Sequence, residues 1–282
     1  MALWLIGCGV AEMGDQPHDV DVTPVAWREA GAGPVVLFLH GLGGSRTAWE
    51  PQLAELSDCC RCVAWDMPGY GASYAPSDSL TFGMLAEAAV GLLDRLGSNR
   101  AVIVGLSLGG MVGLHLAINH PDRVAGLVLL DSSPAFGFDG LTDSDDWIAQ
   151  RRAPLDAGEN PAKIAPDILR SVAGEGASEA VIEEAAMAMA RIPAKGLAAA
   201  VRCLTTHDVV KDLGRIAAPT LVIVGDQDTE TPPAYSRFLA ENIADADYVE
   251  IPGVGHLSNL EAPNEVNRLL RGFVPLATLP VE

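Results

Sequence analysis

Basic side chains are scarce in this 282-residue chain: 18 lysines and arginines stand against 37 aspartates and glutamates, a formal net charge of −19. A surface of that sign repels phosphate backbones and anionic lipid, so neither a nucleic acid nor a membrane is expected as a partner. No apolar run approaches the ~20 residues a membrane-spanning helix needs. Cysteines are few and odd in number, five in all, and Cys59, Cys60 and Cys62 crowd one stretch. Adjacent cysteines pair poorly, and C-C-x-C lacks a second half at zinc-like spacing. Buried free thiols in a reducing compartment are therefore expected rather than a disulfide framework. HExxH, Walker-loop and dinucleotide fingerprints are missing, so no metal and no nucleotide cofactor is implied. The N-terminal "MALWLIGC" looks like a fragment of a lipoprotein signal ending at Cys8, but it has no basic segment and its apolar run is too short for export. Met13 offers an alternative start, and a cytoplasmic protein is expected.

What is present is apolar bulk with regular punctuation. At 49% hydrophobic and 20% charged residues the chain can bury a large core. Short apolar runs recur at 35–39 (VVLFL), 62–65, 101–104, 127–130 and 220–224. They are continuous rather than alternating, as strands covered on both faces of a parallel sheet are. Residues 22–31 alternate weakly and suit an antiparallel edge. Between the runs, 46–56, 81–97 and 109–120 carry apolar residues at helical spacing, with Gly97 and Pro121 as stops. Strand and helix alternate over 35–130, which predicts an open α/β sheet built of right-handed βαβ units. From about 135 to 213 only helical patterns occur, too long for a connection and so an inserted helical element. The strand–helix rhythm then resumes with a strand at 220–224, a helix near 233–243, the strand DYVEIPG and a last helix NEVNRLLRGFV. This divides the chain into an N-terminal tail (1–20), a core in two parts (21–134 and 214–282) and the insertion (135–213).

The run VIVGLSLGGMVG places Ser107 between Gly105 and Gly109, after a strand and before a helix. Alone, G-x-S-x-G decides little. In a strand–turn–helix setting it describes a nucleophile elbow, whose glycines make room for a tight turn and whose helix start favours developing negative charge. A serine hydroxyl needs a base, and the base needs an orienting acid. His256 lies in a Gly-flanked loop after a strand. Asp226, Asp228 and Glu230 share the loop after 220–224. Asp228 is the first choice as the acid, Asp226 bracing its turn instead, and Asp131 at the end of LVLLD is a rival. Oxyanion donors are expected from the backbone N–H groups of Leu108 and of Leu42 in HGLGGS. His40 is expected to brace that loop, His115 and His207 to be structural, His120 to suit a helix end, and Asp66 and Ser73 to tie their own loop.

HGLGGS, DMPGYGAS, GLSLGG, GDQDTETP and GHLSNLEAP, in this order, resemble the α/β-hydrolase superfamily over about residues 22–275. Within it, GLSLGGMVG…LAINHPDRV together with GHLSNLEAP is similar to 3-oxoadipate enol-lactonases and related small esterases. The resemblance implies an α/β-hydrolase fold, a mostly parallel sheet with helices on both faces, and a helical cap over the active site at 135–213. It carries the family's triad onto Ser107, Asp228 and His256 and its oxyanion donors onto Leu42 and Leu108. C–C hydrolases of ring-cleavage products usually carry a tryptophan after the catalytic histidine, where this chain has Leu257. Haloalkane dehalogenases use a carboxylate nucleophile, where it has Ser107.

The expected activity is hydrolysis of a small carboxylic ester or lactone through an acyl-enzyme. The same triad could also serve a C–C bond hydrolase, a proton-abstracting lyase or a slow-turnover ligand receptor. Apolar stretches of the cap suggest a hydrophobic pocket, and Trp147, Arg151 and Arg202 are its candidate lining. An arginine facing the triad would favour a carboxylate-bearing substrate.

Overall fold

The computed structural model describes residues 25–74, 79–140 and 142–278; Cys8, Met13, the expected tail and the start of the 22–31 run lie outside them. Seven strands form one sheet: β1 (Trp27–Ala30), β2 (Val35–Leu39), β3 (Arg61–Trp65), β4 (Ala101–Leu106), β5 (Val124–Leu130), β6 (Thr220–Gly225) and β7 (Ala246–Ile251). Their order is β1-β3-β2-β4-β5-β6-β7. β1 runs antiparallel to β3, and every other pair is parallel. β2, β4, β5 and β6 are buried at every residue, whereas β1 and β7 at the edges are partly exposed. Burial on both faces is why their sequences are unbroken apolar runs.

Alternate residues feed two cores, as the period-2 strand requires. Val35, Leu37 and Leu39 of β2 join one, and Val36 and Phe38 the other. The second face is covered by α1 (Glu50–Leu56) through Leu53 and Leu56. The first is covered by α2 (Phe82–Arg95) and α3 (Leu108–Asn119). Thr81 starts α2 by accepting the Met84 N–H at 3.2 Å, and Gly97, at φ 68°, follows its end. The helix expected over 46–56 is split. Residues 46–49 form a 3-10 turn capped by Ser45, and the α-helix begins only at Glu50, because Pro51 has no N–H to continue the ladder from the turn.

Between β5 and β6 run four helices, α4 (Ser144–Asp156), α5 (Pro161–Val172), α6 (Glu179–Ala190) and α7 (Ala194–Leu204). The chain leaves and returns through one neck. Phe136 N–H donates to His207 O at 2.8 Å, and Val209 N–H donates to Pro134 O at 3.0 Å. His207 Nε2 bonds Ser133 O at 2.9 Å and its Nδ1 lies 3.2 Å from His115 Nε2. His115 stacks on Phe82 with centroids 4.5 Å apart. Burial drives the His207 pKa down to about 4, so this pair fastens the neck as neutral rings. His120, at the end of α3, pairs with Glu87 at 3.1 Å. After β6 come α8 (Pro233–Asn242), α9 (Ser258–Glu261) and α10 (Pro263–Thr278), the last packing Val266, Leu270 and Val274 beside α1. Cys60, Cys62 and Cys203 are buried free thiols; Cys59 is free but exposed, contrary to expectation, because it falls in the turn after α1. No helix among the described residues is long and apolar enough to cross a membrane.

The strand order reverses between β2 and β4, neighbours in the sheet whose onward connections go to opposite sides. Such a switch point opens a crevice outside the strands' carboxyl ends. α3 closes down onto β2 there: a Cβ on Gly109 would lie 2.0 Å from Leu39 O. Gly109→Ala is therefore expected to lose stability by about 3 kcal/mol or more, at the upper end for overpacking. Gly272→Ala, on the exposed side of α10 with nothing within 4 Å, is expected to gain roughly 0.5–1 kcal/mol. Thermal melts of both variants check the contrast.

Candidate active site

Ser107 sits at the end of β4 in a conformation that L-residues rarely adopt, φ 52° and ψ −117°. Such geometry costs about 1–3 kcal/mol and persists only where its surroundings enforce it. Here the Ser107 N–H donates to Leu130 O at 2.9 Å, and its carbonyl accepts from Met111 N–H at 3.0 Å and from Ser132 Oγ at 3.0 Å. A Cβ on Gly105 would come 2.4 Å from the Gly109 carbonyl, so strand and helix meet only because both residues are glycine. The serine makes no capping bond to α3. Its side chain is left at the start of that helix, where the dipole is positive.

The loop after β6 presents Asp228 and the loop after β7 presents His256. Asp228 Oδ2 accepts the His256 Nδ1–H at 2.8 Å and the Thr231 hydroxyl at 2.8 Å; its Oδ1 accepts the N–H groups of Glu230 at 2.9 Å and Thr231 at 3.0 Å. With Nδ1 held by a carboxylate, the neutral ring keeps its lone pair on Nε2. Burial pushes the His256 pKa down, but the Asp228 charge and hydrogen bond outweigh it, with smaller help from Asp131 and Glu230, and lift it to about 9. Burial raises the Asp228 carboxyl, yet His256 and the Thr231 donors hold it below its ordinary value. Thr231 was missed from sequence, although Asp at i with Thr at i+3 is a recognisable turn pattern.

Asp131 lies elsewhere in the network. Its Oδ1 accepts the Gly225 N–H at 3.0 Å and its Oδ2 the Ser258 N–H at 3.2 Å, tying the ends of β5 and β6 to α9. Burial, then the Asp228 charge, raise it to about 7. Asp226 accepts the Gly253 N–H at 2.6 Å, bracing the turn after β7 rather than its own.

Ser107, His256, Leu42, Trp147 and Arg151 line one cavity of about 780 Å³ at the carboxyl end of the sheet. No hydrogen bond joins Ser107 Oγ to His256 in this structure; free active sites often hold such pairs loosely. Leu108 is fully buried as the first residue of α3. Neither its N–H nor that of Leu42 meets a protein acceptor among the described residues. The Leu42 loop is braced from behind. Tyr70 Oη donates to Leu42 O at 2.6 Å, and His40, stacked on Tyr70, accepts the Met67 N–H on Nε2 while Nδ1 bonds Gly41 O. Asp66 and Ser73 tie the next loop, Ser73 Oγ donating to Asp66 O at 2.6 Å.

Arg202 corrects one expectation: it does not line the cavity. Leu197, Val201 and Leu204 do, at the helical spacing of one face of α7, and Arg202 is turned about 130° from the middle of that face. Among the described residues no cluster of His, Cys, Asp and Glu could hold a metal ion.

Residues 36–269 match the alpha/beta hydrolase family. The chain is 29% identical to 3-oxoadipate enol-lactonase 2 of Acinetobacter baylyi, over 86% of its length and 88% of the relative's. It is 34% identical to a protein provisionally named as the carbamate hydrolase RutD of Variovorax paradoxus, over 88% and 94%. Among solved structures, a thermophilic esterase from Thermogutta terrifontis superposes with a TM-score of 0.83 at 30% identity, over 91% of this chain and 95% of that one.

The Asp228–His256 contact has a titration signature. The imidazole is expected to titrate well above 6.5, near 9. The stability this adds is fully present below pH 6.5 and is lost as pH rises through about 9. In Asp228→Asn, burial is left without its counter-charge and the His256 pKa should fall below that of the wild type by two units or more, as followed by histidine ring NMR.

Proposed function

The chain belongs to the alpha/beta hydrolase family, and on that footing we propose that it hydrolyses small carboxylic esters or lactones through an acyl-enzyme on Ser107, with His256 as base and Asp228 as its orienting acid. The observation that carries the proposal is the 2.8 Å bond from His256 Nδ1 to Asp228. It leaves Nε2 as the nitrogen not engaged by Asp228, and His256 lines the same cavity as the strained Ser107.

The chemistry follows from those positions. Ser107 Oγ attacks the substrate carbonyl as its proton passes to His256 Nε2, and the imidazolium formed is held by Asp228. The tetrahedral oxygen takes the Leu42 and Leu108 N–H groups, which have no acceptor to give up among the described residues. Collapse expels the alcohol, protonated by His256. Water activated by the same ring then attacks the acyl-enzyme and frees Ser107. For a lactone the alcohol stays tethered, and the product is a single hydroxy or keto acid. Residues 135–213 act as the cap: α4, α5, α6 and α7 roof the cavity with mostly apolar side chains and exclude bulk water. Lactone and carbamate, the substrates that the relatives' names give, both present an sp² acyl carbon to this geometry. The four cysteines among the described residues, all unpaired, favour a cytoplasmic setting.

Ser107→Ala preserves the Cβ and the turn. It is expected to melt as the wild type does while losing about 10³-fold or more in kcat/KM on 4-nitrophenyl butanoate. Turnover retained by the folded variant would refute the assignment.

A further inference from the structure

The proposed reaction leaves the charge pattern of the cavity unused. Four carboxylate residues, Asp139, Glu159, Asp167 and Glu230, share its lining with Arg151 and Lys163, its cations besides the Asp228-paired His256. Both cations are already engaged. Lys163 Nζ lies 3.4 Å from Glu159. The Arg151 guanidinium is held on two sides: Nη2 is 3.3 Å from each Glu230 oxygen, and Cζ is 4.8 Å from the centre of the Trp147 ring. Trp147 is set edge-on against Phe136 with centroids 5.2 Å apart, so the stack has a backstop. The arginine that sequence alone offered as a carboxylate receptor is thus committed to a carboxylate of the protein itself. That carboxylate stands on the loop of Asp228, two residues away. Much of the remaining lining is aliphatic, Met111, Met189, Leu197 and Val201 among it.

We infer that the site selects uncharged acyl groups and discriminates against substrates carrying a carboxylate, with Glu230 as the specificity-determining residue because it occupies Arg151. The inference rests on the hydrolase function proposed above and adds its substrate class. A substrate carboxylate approaching Arg151 must either sit beside Glu230, like charge against like charge, or displace it and forfeit the Arg151–Glu230 ion pair. The field of a chain with net charge −19 opposes the approach as well. A neutral ester or lactone meets neither obstacle. A lactone made from a dicarboxylic acid, which keeps one free carboxylate, meets both.

Ethyl pentanoate and monoethyl glutarate share a five-carbon acyl chain and differ by a terminal carboxylate. Acid release on a pH-stat at pH 8 gives kcat/KM for each. The wild type is expected to prefer ethyl pentanoate about tenfold or more. Glu230→Gln keeps the side chain's shape and removes its charge; the anionic-to-neutral ratio should rise about tenfold. Adding Arg151→Gln to that variant should abolish the gain. A wild type that favours monoethyl glutarate, or a ratio unmoved by Glu230→Gln, overturns the inference while leaving the hydrolase function standing, since both esters are turned over. Failure of the folded wild type to cleave either ester overturns the hydrolase function and the inference with it.

Discussion

Ser107 holds its left-handed backbone because three hydrogen bonds and two glycines leave it no alternative. Its N–H is bound to β5, its carbonyl to Ser132 and to the first turn of α3, and the helix can approach β2 and β4 only where Gly105 and Gly109 lack a Cβ. The proposed catalytic groups are placed relative to that turn. It sets the serine at the N-terminal end of α3 and close to the loop after β2, where a Cβ on Gly41 would lie 3.3 Å from that of Ser107. In the proposed mechanism, a relaxed serine in the same sequence would leave His256 and Asp228 paired but with nothing to activate.

The electrostatics divide into a buried part and a rim. Within the protein, Asp131 and Asp228 are both buried carboxylates, yet they take different states. Asp228 keeps its charge because it faces an imidazole and three donors. Asp131 has two backbone donors and a neighbouring charge of its own sign, and is raised to about 7. Geometry separates the rivals more sharply than charge does: Asp228 reaches Nδ1, while Asp131 ties Gly225 to Ser258 and so steadies the loops that carry the other two. At the rim, Glu230 and Arg151 neutralise each other across the gap between the α4 helix and the loop of Asp228. The same short loop therefore both orients the histidine and fixes the cavity's charge.

Much of this could be read from the chain. β2, β4, β5 and β6 announce themselves because burial on both faces leaves no charged residue and only one polar side chain, Thr220, in them, and GLSLG is informative because the steric clearance it provides is local. The side of α7 that meets the cavity was also there to be read: Leu197, Val201 and Leu204 mark a face that excludes Arg202. What could not be read depends on contacts between distant segments. The His115–His207 contact spans 92 residues, and the capture of Arg151 by Glu230 spans 79. α4 gave no help, because its segment SDDWIAQRRAPLD spreads charge around the helix and defines no inward face. The break at Pro51 was legible in kind, a missing donor, but helical periodicity masked it.

The central claim is that Ser107 is a nucleophile made reactive by His256. A fluorophosphonate probe reacts with a serine in that state and leaves a permanent adduct. After incubation and proteolysis, mass spectrometry should find one adduct per chain, on the peptide containing Ser107, formed orders of magnitude more slowly in His256→Ala. An adduct on another residue, or labelling of Ser107 at an unchanged rate without the histidine, would contradict the account.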